Sequence, residues 1–167
     1  MGMQLPGELV SVLSVLGFEW PRGDEEELFQ MGQTWLNFAG TMRGETAHAT
    51  SQAQSVWEVN ISETTAAFEQ AWQAAKSPVN NINDAATVAE LIGGGLMVCA
   101  GIILALKIAV IAQLVILAVQ IAQAIATAAV TFGASLLEIP IFREITRRIL
   151  DALLDKAIDQ VLSGAMS

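Results

Sequence analysis

From Ala85 to Leu137 the chain carries only two charges, Glu90 and Lys107, and that stretch restricts the folds open to it. So long an apolar run satisfies its own backbone polar groups most simply as a helix, where each N–H and C=O pairs within the segment. Its polar residues point the same way. Gln113, Gln120, Gln123, Thr127 and Thr131 are separated by seven, three, four and four positions. That spacing puts them in one narrow stripe of a helix whose other faces are apolar. Gly93, Gly94 and Gly95 are expected to form a flexible joint within the run.

The rest of the chain keeps the helical period. Pro6 and Glu8 suit a first helical turn, Leu9, Val12, Leu13 and Leu16 repeat at helical spacing, and Gly17 is a natural C-cap. Asp24 reads as an N-cap, and Glu25, Glu26 and Glu27 follow in the first turn, where carboxylates complement the helix dipole. The seam from Leu28 through Met31, Trp35, Phe38 and Met42 to Val56 predicts helix from about Asp24 to Trp57. Ser62 can cap a second helix carrying Thr65, Phe68 and Trp72, and Pro78 should kink or split it at Ser77-Pro78. Gly133 and Pro140 bracket a turn. Beyond it, Ile141 to Leu162 is amphipathic, with Phe142, Ile145, Ile149 and Leu153 on one face and most of its charges outside that stripe.

These seams predict an all-α fold: an elongated helical hairpin, a long apolar helix and a C-terminal amphipathic helix. They are expected to form a single helical domain over 1–167, with the hairpin over 24–76, the apolar helix over 85–137 and the amphipathic helix over 141–162. In the hairpin, Trp57 should mark the turn, and Trp35, Phe38, Phe68 and Trp72 should face one another across two antiparallel helices. Gln113, Gln120, Gln123 and Thr127 form the candidate assembly or pore stripe.

Chemistry-bearing residues are sparse. The single histidine, His48, sits in a polar stretch and reads as a solvated helical side chain; the single cysteine, Cys99, reads as a small buried hydrophobe. One His and one distant Cys make no metal set. The glycines at 93–95 lack the Lys-Ser/Thr and the preceding strand of a phosphate loop. No catalytic, cofactor-binding or metal residues are expected, and the reading is non-enzymatic. A net charge of −9 repels phosphate backbones, which argues against a nucleic-acid partner. Met1 to Leu16 lacks the basic start and cleavage site of a secretory leader, so a secreted or cell-surface location would be reached without a cleaved signal peptide.

Two destinations stand open for the apolar run. Leu91 to Leu106 is slightly short of the roughly 20 residues a membrane span needs. Extending it takes in Lys107, at about 2.5–3.5 kcal/mol in the bilayer centre. The alternatives are burial in a soluble core or a self-oligomer, and insertion into a membrane.

The middle of the chain resembles the W-x-G superfamily, small helical hairpins exported by type VII secretion systems. The resemblance rests on a long helix ending in Val56-Trp57, a short turn, and a following helix with Phe68 and Trp72. Trp57-Glu58-Val59 keeps the tryptophan and lacks the glycine. A wider pattern resembles the W-x-G-like N-terminal domain of actinobacterial polymorphic toxins, a group that includes a channel-forming outer-membrane toxin N-terminus. That pattern comprises Leu5-Pro6-Gly7-Glu8-Leu9, Leu16-Gly17-Phe18-Glu19-Trp20-Pro21, Asp24-Glu25, Trp35, Phe38 and Val130-Thr131-Phe132-Gly133-Ala134. The family's export signal, a tyrosine followed by an acidic residue, is absent because the chain has no tyrosine. The resemblance implies a leader or adaptor domain of a type VII-secreted toxin, or a stand-alone relative, with a small W-x-G-type helical protein as partner. It also implies the alternative of a membrane-inserting, oligomeric channel.

Overall fold

Helix signals in the sequence translate into helices with few exceptions. The computed structural model describes residues 2–165 and shows α1 (Gly7–Val15), α2 (Glu25–Val59), α3 (Glu63–Gln73), α4 (Pro78–Thr127), a short 3-10 turn (Ala134–Glu138) and α5 (Ile139–Ala165). Among the described residues there is no strand, and the fold is all-α. Asp24 caps α2 as expected, its side chain accepting from the Glu27 N–H at 3.1 Å. Ser62 caps α3 reciprocally: its hydroxyl accepts from Thr65 N–H while its own N–H donates to Thr65 Oγ1. Proline lacks the N–H a helix interior needs, so α3 stops at Gln73 and α4 starts at Pro78.

Three features differ from the sequence expectation, the first being that α4 begins at Pro78 and not at 85. The glycines at 93–95 lie inside the continuous α4 and form no joint. Helix α4 ends at Thr127, short of the expected 137. The chain reverses there through Gly133, whose φ of +85° a side chain would strain, and the Gly133 N–H donates to Ala128 O at 2.8 Å. Ser135 fastens the reversal: its hydroxyl donates to Ala124 O at 2.7 Å and accepts from Thr131 Oγ1 at 3.0 Å.

The chain divides into two compact units, one made of residues up to Leu28 with those from Val98 onward, the other of Phe29–Met97. In the first, α1, α4 and α5 share one core of Leu9, Leu13, Leu16, Val110, Leu114, Leu117 and Leu150. Phe142 and Leu153 of α5 pack against it. In the second, α2 and the start of α4 run antiparallel around a core of Ala39, Ala86 and Ala89, flanked by Trp35 and Met42.

Small residues set the spacing of that helix pair. A Cβ on Gly93 would lie 2.9 Å from Gly32 O and 2.9 Å from Leu36 Cγ, and one on Gly32 would lie 2.8 Å from Gly93 O. The backbones cross where neither helix carries a side chain. Gly95, two residues on, faces open space. Gly95→Ala should therefore stabilise by up to about 1 kcal/mol through helix propensity. Gly93→Ala should destabilise, because about 1–3 kcal/mol of overpacking outweighs the same gain. Chemical denaturation of the two variants checks the opposite signs.

Candidate functional site

Lys107, the one cation in the apolar run, finds its counter-ion at the start of α2. Its ammonium lies 2.7 Å from Glu25 Oε2 and donates to Gly23 O at 2.6 Å. The Trp20 ring centroid is 5.8 Å from the same ammonium. The other Glu25 oxygen accepts from the Met3 N–H, and Trp20 Nε1 donates to Met3 O at 3.3 Å. The Lys107 and Glu25 side chains are only 3% and 10% exposed. The Lys107 hydrogen bond holds the Glu25 carboxyl below the usual carboxylate range, with help from the Met3 amide and against the pull of burial. The run Asp24 to Glu27, which the sequence marks as a helix start, thus contributes one buried partner. No local sequence signal could have paired positions so far apart.

The Phe29–Met97 unit has its small residues inside and large ones outside. Its core is alanine, while Phe38 is 51% exposed and Val88 55% exposed. Phe29, Met31, Leu91 and Ile92 are exposed as well. Met31 and Phe38, seven residues apart, share one face of α2; Val88 and Ile92, four apart, share one face of α4. Arg43 reaches across the pair to Glu90 at 2.8 Å and Thr87 at 3.2 Å, and Thr46 donates to Asn83 Oδ1 at 2.8 Å.

The aromatic residues singled out from the sequence fall into two groups. Trp35 and Phe38 form an edge-to-face pair at 6.1 Å, Trp35 lying on the alanine core between α2 and α4. Trp57, Phe68 and Trp72 form a chain of tilted rings at 5.6 Å spacing where α3 follows α2. The long antiparallel arm opposite α2 is therefore α4, and α3, with no buried residue, is a short connector. Trp72 Nε1 is buried without a hydrogen-bond partner among the described residues.

Of the polar stripe, Gln113 and Gln120 are half-buried, while Gln123 and Thr127 are exposed; Thr127 Oγ1 donates back to Gln123 O at 2.9 Å. His48 is exposed and Cys99 is half-buried. Within Glu63–Thr127 one helical window has a mean hydropathy of 2.8, long and apolar enough to cross a membrane, and 22% of it is buried.

The family described as WXG100 like domain matches residues 5–149. No curated protein and no solved structure matches the chain.

The ion pair yields a stability prediction. Lys107→Ala strands the Glu25 carboxylate and should cost about 3–5 kcal/mol, whereas the double change Lys107→Met with Glu25→Gln should recover most of that. Because the folded-state acidity of Glu25 is raised, the pair's contribution is fully present above the unfolded carboxylate pKa of about 4.3 and fades as pH falls through the lower folded value. Urea melts across acid pH should show the wild-type advantage over Glu25→Gln narrowing there.

Proposed function

Starting from the chain's membership of the WXG100-like domain family, a family of helical secretion-associated proteins, we propose that it is a non-enzymatic interaction domain. On this reading it is the leader or adaptor domain of a type VII-secreted toxin, or a stand-alone relative. It docks a small W-x-G-type helical partner on the Phe29–Met97 helix pair. The observation that carries the reading is the inversion of that pair, whose alanine and glycine seam lies inside and whose Phe38, Met31, Val88 and Ile92 lie outside. Apolar side chains left outside a tightly closed small-residue core make the kind of face that a second hairpin covers, completing a four-helix bundle.

A second reading, a membrane-inserting oligomeric channel, draws on the mean hydropathy of 2.8 and the low burial of the window in Glu63–Thr127. Vesicle dye release by the purified chain is its direct measurement.

The docking reading is tested by co-expressing the chain with small W-x-G-type proteins and weighing the complexes by light scattering. One partner bound per chain is expected. Phe38→Glu with Val88→Glu should abolish this binding while costing the isolated chain no more than about 0.5 kcal/mol at Val88 and about 0.5–1.5 kcal/mol for the lost ring contact of Phe38 with Trp35. Undiminished binding by that variant would remove this face from the proposal.

A further inference from the structure

The outer face of α4 beyond the hairpin carries a second apolar seam. From Val98 to Ala122 the residues at alternating steps of three and four fall on one line, and all of them are exposed. Val98, Ile108, Val115 and Val119 are 55%, 52%, 46% and 50% exposed. The same helix turns a different seven-residue register inward, where Lys107 and Leu114 are one step apart, as are Val110, Leu117 and Ala124. Helix α4 is thus two-faced, with one seam closing the core and the other left open. No charged residue lies on the open seam.

The order of sizes along the open seam says what covers it. Large residues stand at 98, 108, 115 and 119, and small ones at 101, 105, 112 and 122. Laid antiparallel on its own copy with the axis beside Val110, the seam pairs Ile108 with Ala112 and Val115 with Ala105. It likewise pairs Val119 with Gly101 and Val98 with Ala122. Every large side chain meets a small one, the interdigitation that lets two helices close to a spacing of about 8 Å. A parallel copy would set Ile108 on Ile108 and Gly101 on Gly101, a bulge beside a gap.

A bilayer fits this seam poorly. Helix α5 packs antiparallel along the same length of α4, with Leu150 on the core of Val110 and Leu114, and Leu154 and Ile158 lining one cleft with Ile102 and Ile103. Its exposed Arg147, Arg148, Asp151 and Asp155 therefore sit level with the seam. Sinking the seam into the hydrocarbon core, about 30 Å thick, would carry those charges with it.

We propose that residues 98–122 of α4 form the interface of an antiparallel, two-fold dimer of this chain. Each large residue inserts opposite a small one of the second copy, and the contact is isologous, so both copies use the same face. This interface lies outside the residues proposed to dock the W-x-G-type partner.

The test uses the full chain. Sedimentation should give a dimer that Ile108→Lys with Val115→Lys converts to monomer. Orientation is read in a Cys99→Ser background. A mixture of chains carrying Val98→Cys and Ala122→Cys should form a disulfide-linked dimer on oxidation, whereas Val98→Cys alone should not. In that variant the two thiols stand roughly 36 Å apart along the helix. A wild-type monomer at tens of micromolar overturns the proposal. So does cross-linking of Val98→Cys alone, and so does flotation with phosphatidylglycerol vesicles that the lysine pair abolishes. The Phe38→Glu with Val88→Glu variant should keep this dimer and the lysine pair should keep the W-x-G-type complex, so failure of one surface is read separately from failure of the other.

Discussion

Lys107 would be the most costly residue in its unit if Glu25 were not beside it. An ammonium in the middle of an apolar helix must either reach water or meet an anion held in place for it. Here the anion comes from the first turn of α2, and its second oxygen is engaged by the Met3 amide. Trp20 lies over the same ammonium and bonds to Met3 O. One charge thereby anchors the N-terminal segment, the loop before α2 and the middle of α4. Without it, the leucines of α1 would be the chief hold on the N-terminal segment.

That pair also marks where sequence reading stops. The helices and their caps were legible because they depend on neighbours three or four residues away: Asp24 with Glu27, Ser62 with Thr65, Pro78 at a helix start. The same local view gives Lys107 as a penalty against membrane crossing and Glu25 as a first-turn carboxylate complementing the helix dipole, since nothing nearby links them. The glycines at 93–95 were misread for a related reason. Local propensity makes three glycines a joint, but the close approach of Gly32 makes Gly93 a contact point inside an unbroken helix. The extent of the apolar helix was overread at its end, where Gly133 enforces a reversal. Among the site residues, the sequence picked out aromatics that do touch, but it set Phe68 and Trp72 opposite Trp35. The arm that faces α2 there is the alanine-rich start of α4.

The two units solve the same problem differently. In one, leucines from three helices fill a core in the ordinary way, with large side chains inward. In the other, the helices approach on alanine and glycine, and bulk is displaced to the outside. Close backbone approach removes space between helices, so fewer methylenes are sheltered within the unit and more are available at its surface.

The two-faced register of α4 has a bearing on how this chain can vary in length. Its inward and outward seams both return every seven residues, and the helix between them is uninterrupted. Inserting a single residue near Lys107 would rotate everything downstream by about 100°, exchanging core positions for surface ones over several turns. Inserting seven would displace the faces by only about 20°. The helix therefore acts as a reading frame, and tolerated changes of length belong in the loop before α2, the α2–α3 turn and the reversal around Gly133.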